Sequence, residues 1–135
     1  MIEFNAIHEF EIENSEDISS WLQDVIEEED KELGELTYIF CDDEYLHKMN
    51  VEFLDHDTLT DVISFDYTEG VIVSGDVYIS TERVAENATE FKVSFKDELH
   101  RVMVHGLLHY CGYKDKDDDE VVEMRAKENY YLNKR

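Results

Sequence analysis

Proline is absent from this chain, cysteine occurs twice, glycine five times, and Lys and Arg together number only 12 against 35 Asp and Glu. The two cysteines, Cys41 and Cys111, are too few for a disulfide framework, which fits a reducing compartment. No apolar run approaches the roughly 18 residues of a membrane span. The N-terminal stretch is acidic and has neither the basic start nor the apolar core of a signal peptide. These features lead us to expect a cytoplasmic protein without membrane contact. The missing proline has no physical account in the sequence. The shortage of positive charge has a clearer meaning. Net charge is −23, so the overall field repels nucleic acid and favours solubility or a basic partner.

The charge is unevenly spread. Residues 1–82 hold 24 acidic and 2 basic side chains, and residues 83–135 hold 11 acidic and 10 basic. Any polyanion must therefore approach the C-terminal part. What is present in abundance is apolar: 42% hydrophobic residues and 12% aromatics, in 135 residues, make one globular domain over 1–135.

Ile2, Phe4, Ala6, Phe10 and Ile12 alternate with polar residues, which predicts a strand over 2–12. Ile18, Trp21, Leu22, Val25 and Ile26 follow helical spacing, with Gly34 as the terminator. Leu36–Cys41 reads as a buried strand. Asp42 or Asp43 caps a helix bearing Leu46, Met49 and Phe53. Residues 60–66 and 71–80 read as strands joined at Glu69-Gly70. Val84, Ala88 and Phe91 form a helical stripe, and Ser94 with Asp97 opens a long helix to Gly112. A last helix starts near Asp117–Asp119. About four strands and five helices, strands early and helices late, predict an α+β domain with a mixed four-stranded sheet.

The chemistry is concentrated at His105, His109 and Asp115. Residues four apart share one face of a helix, so His105 and His109 can grip one metal ion. Gly112 can end the helix in the left-handed conformation and let Asp115 turn back to the same ion. Three protein ligands leave a fourth position for water or substrate, the arrangement of catalytic zinc. Zinc, one per chain, is the expected cofactor, with another divalent ion as the alternative. Cys111 points to another side of the helix and reads as a core residue, and His100 lies off the ligand face.

Glu98 and Arg101 fall on the ligand face. They read either as groove residues, with Arg101 as a catalytic phosphate-holding group, or as an exposed ion pair. Asp61 reads either as a wall group that orients a water at the metal or as a strand-end cap. Lys114 and Lys116 flank Asp115 and read either as substrate-phosphate contacts or as plain surface lysines. His56, in a polar turn, reads as groove or surface, and the tail Tyr130-Tyr131-Leu132 as core or partner contact. In zinc peptidases a glutamate follows the first histidine and serves as the base. Here that residue is Gly106, which leaves a peptidase as the weakest reading.

Val104 to Tyr113, VHGLLHYCGY, resembles the HGxLHLxGYDH signature of the YbeY family, and Thr60–Phe65, TDVISF, resembles its TDVLSF strand. Gly75-Asp76 resembles its LGD, while Met49-Asn50, Met124 and Glu128 fit the flanking pattern. The resemblance implies a zincin-like, metal-bearing central helix. It implies a zinc-dependent, single-strand-specific endoribonuclease that matures small-subunit ribosomal RNA, especially its 3′ end. It also implies a part in ribosome quality control, with single-stranded ribosomal RNA, the small ribosomal subunit and its proteins as partners. Two positions depart from the pattern. Asp115 stands where the family usually has a third histidine, and Leu54 follows Phe53 where it usually has an arginine. These departures and the charge keep a non-catalytic ribosome-assembly factor as the alternative.

Overall fold

The computed structural model describes residues 1–54 and 60–135. Four strands, β1 (Ile2–Ala6), β2 (Glu32–Cys41), β3 (Val62–Asp66) and β4 (Ile72–Ser80), form one sheet in the order β1-β2-β4-β3. The first three neighbours run parallel and β3 is antiparallel to β4, so the sheet is mixed. Five helices accompany it: α1 (Ser15–Glu28), α2 (Asp43–Leu54), α3 (Thr81–Phe91), α4 (Phe95–Tyr110) and α5 (Asp118–Leu132). The α+β expectation holds. Among the described residues no helix is long and apolar enough to cross a membrane.

Several local readings need correction. The first strand stops at Ala6 because its partner runs out: Ala6 pairs with Phe40, and β2 ends one residue later at Cys41. Phe10 and Ile12 still pack on the core, but from a loop, so their alternation mimicked a strand. Gly34 does not end α1. That helix closes at Asp30, in the left-handed region at φ 59°, with Lys31 N–H donating to Ile26 O at 3.0 Å. Gly34 lies inside β2, where a Cβ would stand 2.2 Å from Ser74 Oγ. On α2, Leu46 and Met49 are buried but Phe53 is 63% exposed. His56 lies outside the described residues.

On α3, Val84 and Ala88 are buried but Phe91, read as part of the same stripe, is 56% exposed at the helix end. The helix starts appear as read. The Asp42 carboxylate accepts from Tyr45 N–H, Ser94 Oγ accepts from Asp97 N–H, and Asp117 forms a reciprocal capping box with Glu120. Gly70 turns β3 into β4 at φ 58°. Of the tail, Tyr131 is buried and accepts Trp21 Nε1–H at its carbonyl (2.9 Å), while Tyr130 is exposed.

Helix α4 is apolar on most of its circumference because it is central. Leu99, Val102, Met103, Val104, Leu107, Leu108 and Tyr110 are all buried. Tyr38 on β2 donates to Met103 O at 2.9 Å, and Gly106 lets the helix settle onto β4. A Cβ at Gly106 would lie 3.1 Å from Val77 Cγ1, so the helix–sheet approach itself excludes a peptidase glutamate at this position without local rearrangement.

His100 is also buried in this packing, beside Trp21, and its Nδ1 accepts from Arg135 Nη1–H at 2.8 Å. Burial, aided by Arg135 and Lys96, pushes its pKa down to about 4 from an ordinary 6.5. The unfolded chain binds this proton below pH 6.5, while the folded chain resists it until about 4. His100 therefore supplies stability that is present above pH 6.5 and lost as pH falls toward 4. We expect wild type to lose about 3 kcal/mol relative to His100→Asn between pH 7 and 4, read by urea unfolding at each pH. Parallel pH curves for the two proteins would refute it.

Candidate metal centre and adjoining cavity

The sequence builds the site from one helix end and the loop after it. Helix α4 carries His105 and His109 one turn apart. It stops at Tyr110, two residues before the expected Gly112. Tyr113 N–H donates to Leu108 O at 3.1 Å, and Gly112 takes φ 106°. That reversal brings Asp115 back over the histidines. His105 Nε2 and His109 Nε2 are 3.0 Å apart, and Asp115 Oδ2 is 3.2 Å from the first and 3.4 Å from the second.

The outer nitrogens of both rings are engaged. His105 Nδ1 lies 2.7 Å from Glu128 Oε2, and His109 Nδ1 lies 3.0 Å from the Tyr113 carbonyl. A carbonyl can only accept, and a carboxylate accepts when ionised, so in the neutral rings both Nδ1 atoms carry the hydrogen. Both Nε2 atoms then present bare lone pairs to each other and to a carboxylate oxygen. With both rings neutral, three acceptors face one another, and such a cluster is satisfied by a cation, whether a proton or a metal ion. Ligands about 2.0–2.1 Å from a tetrahedral ion stand roughly 3.3 Å apart. The observed separations bracket that value, so the residues present fit a small divalent ion.

Glu128 on α5 is buried and holds two groups at once: His105 through Oε2, and Arg101 Nη1 through Oε1 at 2.8 Å. Burial opposes its charge, but the hydrogen bonds from His105 and Arg101 outweigh it and lower its pKa. Burial likewise opposes charge on His105, and Glu128, Asp115 and Asp61 outweigh it, raising that pKa. Burial raises the pKa of Asp61, whose carboxyl also bonds to Asn87. Cys111 is half-buried against the core, with its thiol pushed up to about 11 by burial, as a core residue should be.

A cavity of about 360 Å³ opens beside the triad. His105, Asp115, Asp61, Glu98, Arg101 and Arg125 contribute its polar lining. Asp61 and Arg101 are thus brought to the site. Arg101 is not paired with Glu98; its guanidinium is held by Glu128 and, through Nη2 at 2.7 Å, by Asn129. Lys114 and Lys116 are exposed and do not line the cavity. Sequence reasoning missed the hydrogen-bonding role of Glu128, the Tyr113 carbonyl and Asn87. Glu128 sits one helical turn beyond Met124 on the buried face of α5, which is the only local signal it gave.

The profile of the endoribonuclease YbeY family matches residues 3–135. The chain belongs to the YbeY family. An endoribonuclease YbeY of Flavobacterium johnsoniae is 59% identical over 129 residues, covering 96% of this chain and 93% of that one. One of Porphyromonas gingivalis is 48% identical over 115 residues, covering 85% and 76%. A solution structure of a Thermotoga maritima protein superposes with a TM-score of 0.71 at 29% identity, covering 98% of this chain and 87% of that one. As expected from a YbeY-like sequence, the sheet is mixed and the histidine pair lies on the central helix.

Gly112→Ala should cost about 1–2 kcal/mol, because a side chain at φ 106° is strained even though open space surrounds it. It should also weaken metal retention by tilting Asp115. Urea unfolding and equilibrium dialysis would read the two effects. Unchanged zinc retention in a destabilised protein would mean that the turn does not set the aspartate.

Proposed function

We propose that this protein is a metal-dependent endoribonuclease that cleaves single-stranded RNA. In this reading it matures small-subunit ribosomal RNA, especially the 3′ end, contributes to ribosome quality control, and works in contact with the small ribosomal subunit and its proteins. The observation that carries the reading is the convergence of three lone-pair donors, His105 Nε2, His109 Nε2 and Asp115 Oδ2, at a cavity mouth in a chain of the YbeY family. Those three residues would hold one zinc ion, and the aspartate, a harder ligand than a third histidine, tilts preference slightly toward other divalent metals.

Bound there, a divalent ion activates water and polarises a phosphoryl oxygen. The chain supplies the rest. Glu128 and the Tyr113 carbonyl fix both histidine tautomers, so that Nε2 of each is free to donate its lone pair. Arg101 holds Glu128 in place and brings a fixed positive charge to the cavity wall. Asp61, at the entry to β3, offers a carboxyl to orient a water or a hydroxyl near His105.

One observation favours a second reading. Arg101 spends its guanidinium on Glu128 and Asn129, and the net charge is −23, so RNA affinity has few free cations behind it. A binding-only assembly factor would dock through its acidic part on a basic ribosomal protein. The test is cleavage of a single-stranded RNA matching the small-subunit 3′ end at low salt, using protein stripped by chelator and then reloaded with zinc. Cleavage lost on stripping and restored on reloading is the expected result. Equal cleavage by both forms would end the metal-dependent reading. No cleavage by zinc-loaded protein that still sediments with small subunits would favour the assembly factor.

A further inference from the structure

The cavity beside the triad shares Asp61 with the cleavage site and adds lining groups that hydrolysis does not require. Phe91, the last residue of α3, is 56% exposed and makes no ring contact among the described residues. Val121 and Met124 of α5 add apolar surface. Glu98 is only 5% exposed, lines the cavity, and among the described residues receives no hydrogen bond on its carboxyl. Asp61 brings a second carboxyl and Asn87 an amide. The Glu98 carboxyl oxygens are not fully buried but open onto the cavity, where an N–H of a guest would take the place of water.

The guest that fits is flat, apolar on its faces and rich in N–H donors at its edge. Arg101 is held by Glu128 and Asn129, which leaves the more exposed Arg125, in the same lining, to meet an anionic tail on the guest. A nucleotide meets each requirement. An aromatic side chain gives a base a stacking face, and a carboxylate accepts from an amino group on a base edge.

We propose that this cavity is a base-binding subsite for the nucleotide next to the cleaved phosphate, in which Phe91 stacks on the base and Glu98, with Asp61, selects adenine, cytosine or guanine over uracil. The inference rests on the RNA-cleaving reading for the source of the nucleotide. Uracil offers one ring N–H and two carbonyls, and those carbonyls would face carboxylate oxygens. The amino-bearing bases turn a donor to the same oxygens.

The test is binding of short, labelled 2′-O-methyl oligonucleotides of A, C or U to the zinc-loaded protein, followed by fluorescence anisotropy. Wild type should bind A and C about tenfold more tightly than U. Phe91→Ala should weaken all three by roughly 5- to 150-fold. Glu98→Gln, nearly identical in shape, should level A and C with U by weakening the amino-bearing bases and strengthening U, whose carbonyl then meets an amide N–H. Thermal melting of both variants checks that they fold. Equal binding of A, C and U by wild type, or wild-type affinity in Phe91→Ala, would overturn the inference, as would no binding of any oligonucleotide. The same preparations are assayed on unmodified RNA. Cleavage without base or Phe91 dependence removes the subsite and leaves the nuclease. The predicted binding pattern without cleavage removes the nuclease and leaves the subsite.

Discussion

His109→Ala is expected to keep its fold and to cut single-stranded RNA at least about 100-fold more slowly than wild type. His109 is 31% exposed at its side chain and packs edge-on against the His105 ring, so truncation removes little from the core. What it removes is one of three donors. Loss of a group that merely orients a ligand typically costs 10–100-fold in metal affinity or activity, and loss of a ligand exceeds that. Two donors remain, a neutral imidazole and an exposed carboxylate, and they do not enclose an ion. The variant should therefore emerge from dialysis with far less than one zinc per chain while melting within a few degrees of metal-free wild type. A folded His109→Ala protein that retains a full equivalent of zinc and cuts normally would show that the pair does not form the site.

Gly75→Ala is the substitution expected to damage the fold most for its size. Gly75 lies on β4 directly opposite Asp66 of β3. A single methyl there would stand 2.5 Å from Phe65 O and 2.6 Å from Tyr110 Cζ. The first obstacle is backbone, and the second is a buried ring whose hydroxyl sits 3.1 Å from Phe65 O and 3.0 Å from Asp76 O. Neither can give way cheaply. β3 would have to leave the sheet edge, or α4 would have to lift at the residue that follows His109. Overpacking of this kind costs roughly 1–3 kcal/mol and more when backbone must move, and we expect about 3 kcal/mol in urea unfolding. Gly70→Ala serves as the control: nothing lies within 4 Å of its Cβ, so it bears only the strain of φ 58°, about 1 kcal/mol. Equal losses at the two glycines would show that the close approach at Gly75 relaxes freely.

The parts of this protein that were legible in the sequence are those whose causes are local. Ser94 and Asp97, three residues apart, announced the start of α4, and the acids at Asp117–Asp119 announced α5. His105, His109, Gly112 and Asp115 lie within one helix end and its exit turn, so spacing alone could assemble them. Where spacing failed, the cause was a distant partner. Nothing near Ala6 says that its strand must stop; the end of β2 decides it. Nothing near Gly34 says that it must be a glycine inside a strand; Ser74, on β4, decides that. Arg101 and Glu98 are three apart on one helix and seemed a natural pair, yet α5 presents Glu128 and Asn129 and takes the arginine. Asn87, Asp61 and Glu98 meet only because α3, the edge of the sheet and α4 are folded together.

The continuity of the three donors along the chain has a consequence for the order of events during folding. All of them fall within residues 105–115, so enclosing an ion would require only that α4 form and a short loop close, at small entropic cost. Glu128, which locks the His105 ring, is supplied by α5 from outside that segment. An ion would thus be caught before α5 docks, and the last helix would settle onto a site already charged. The unfolded chain keeps some affinity for the ion for the same reason, so loading should raise the melting temperature by less than the affinity of the folded site alone would give.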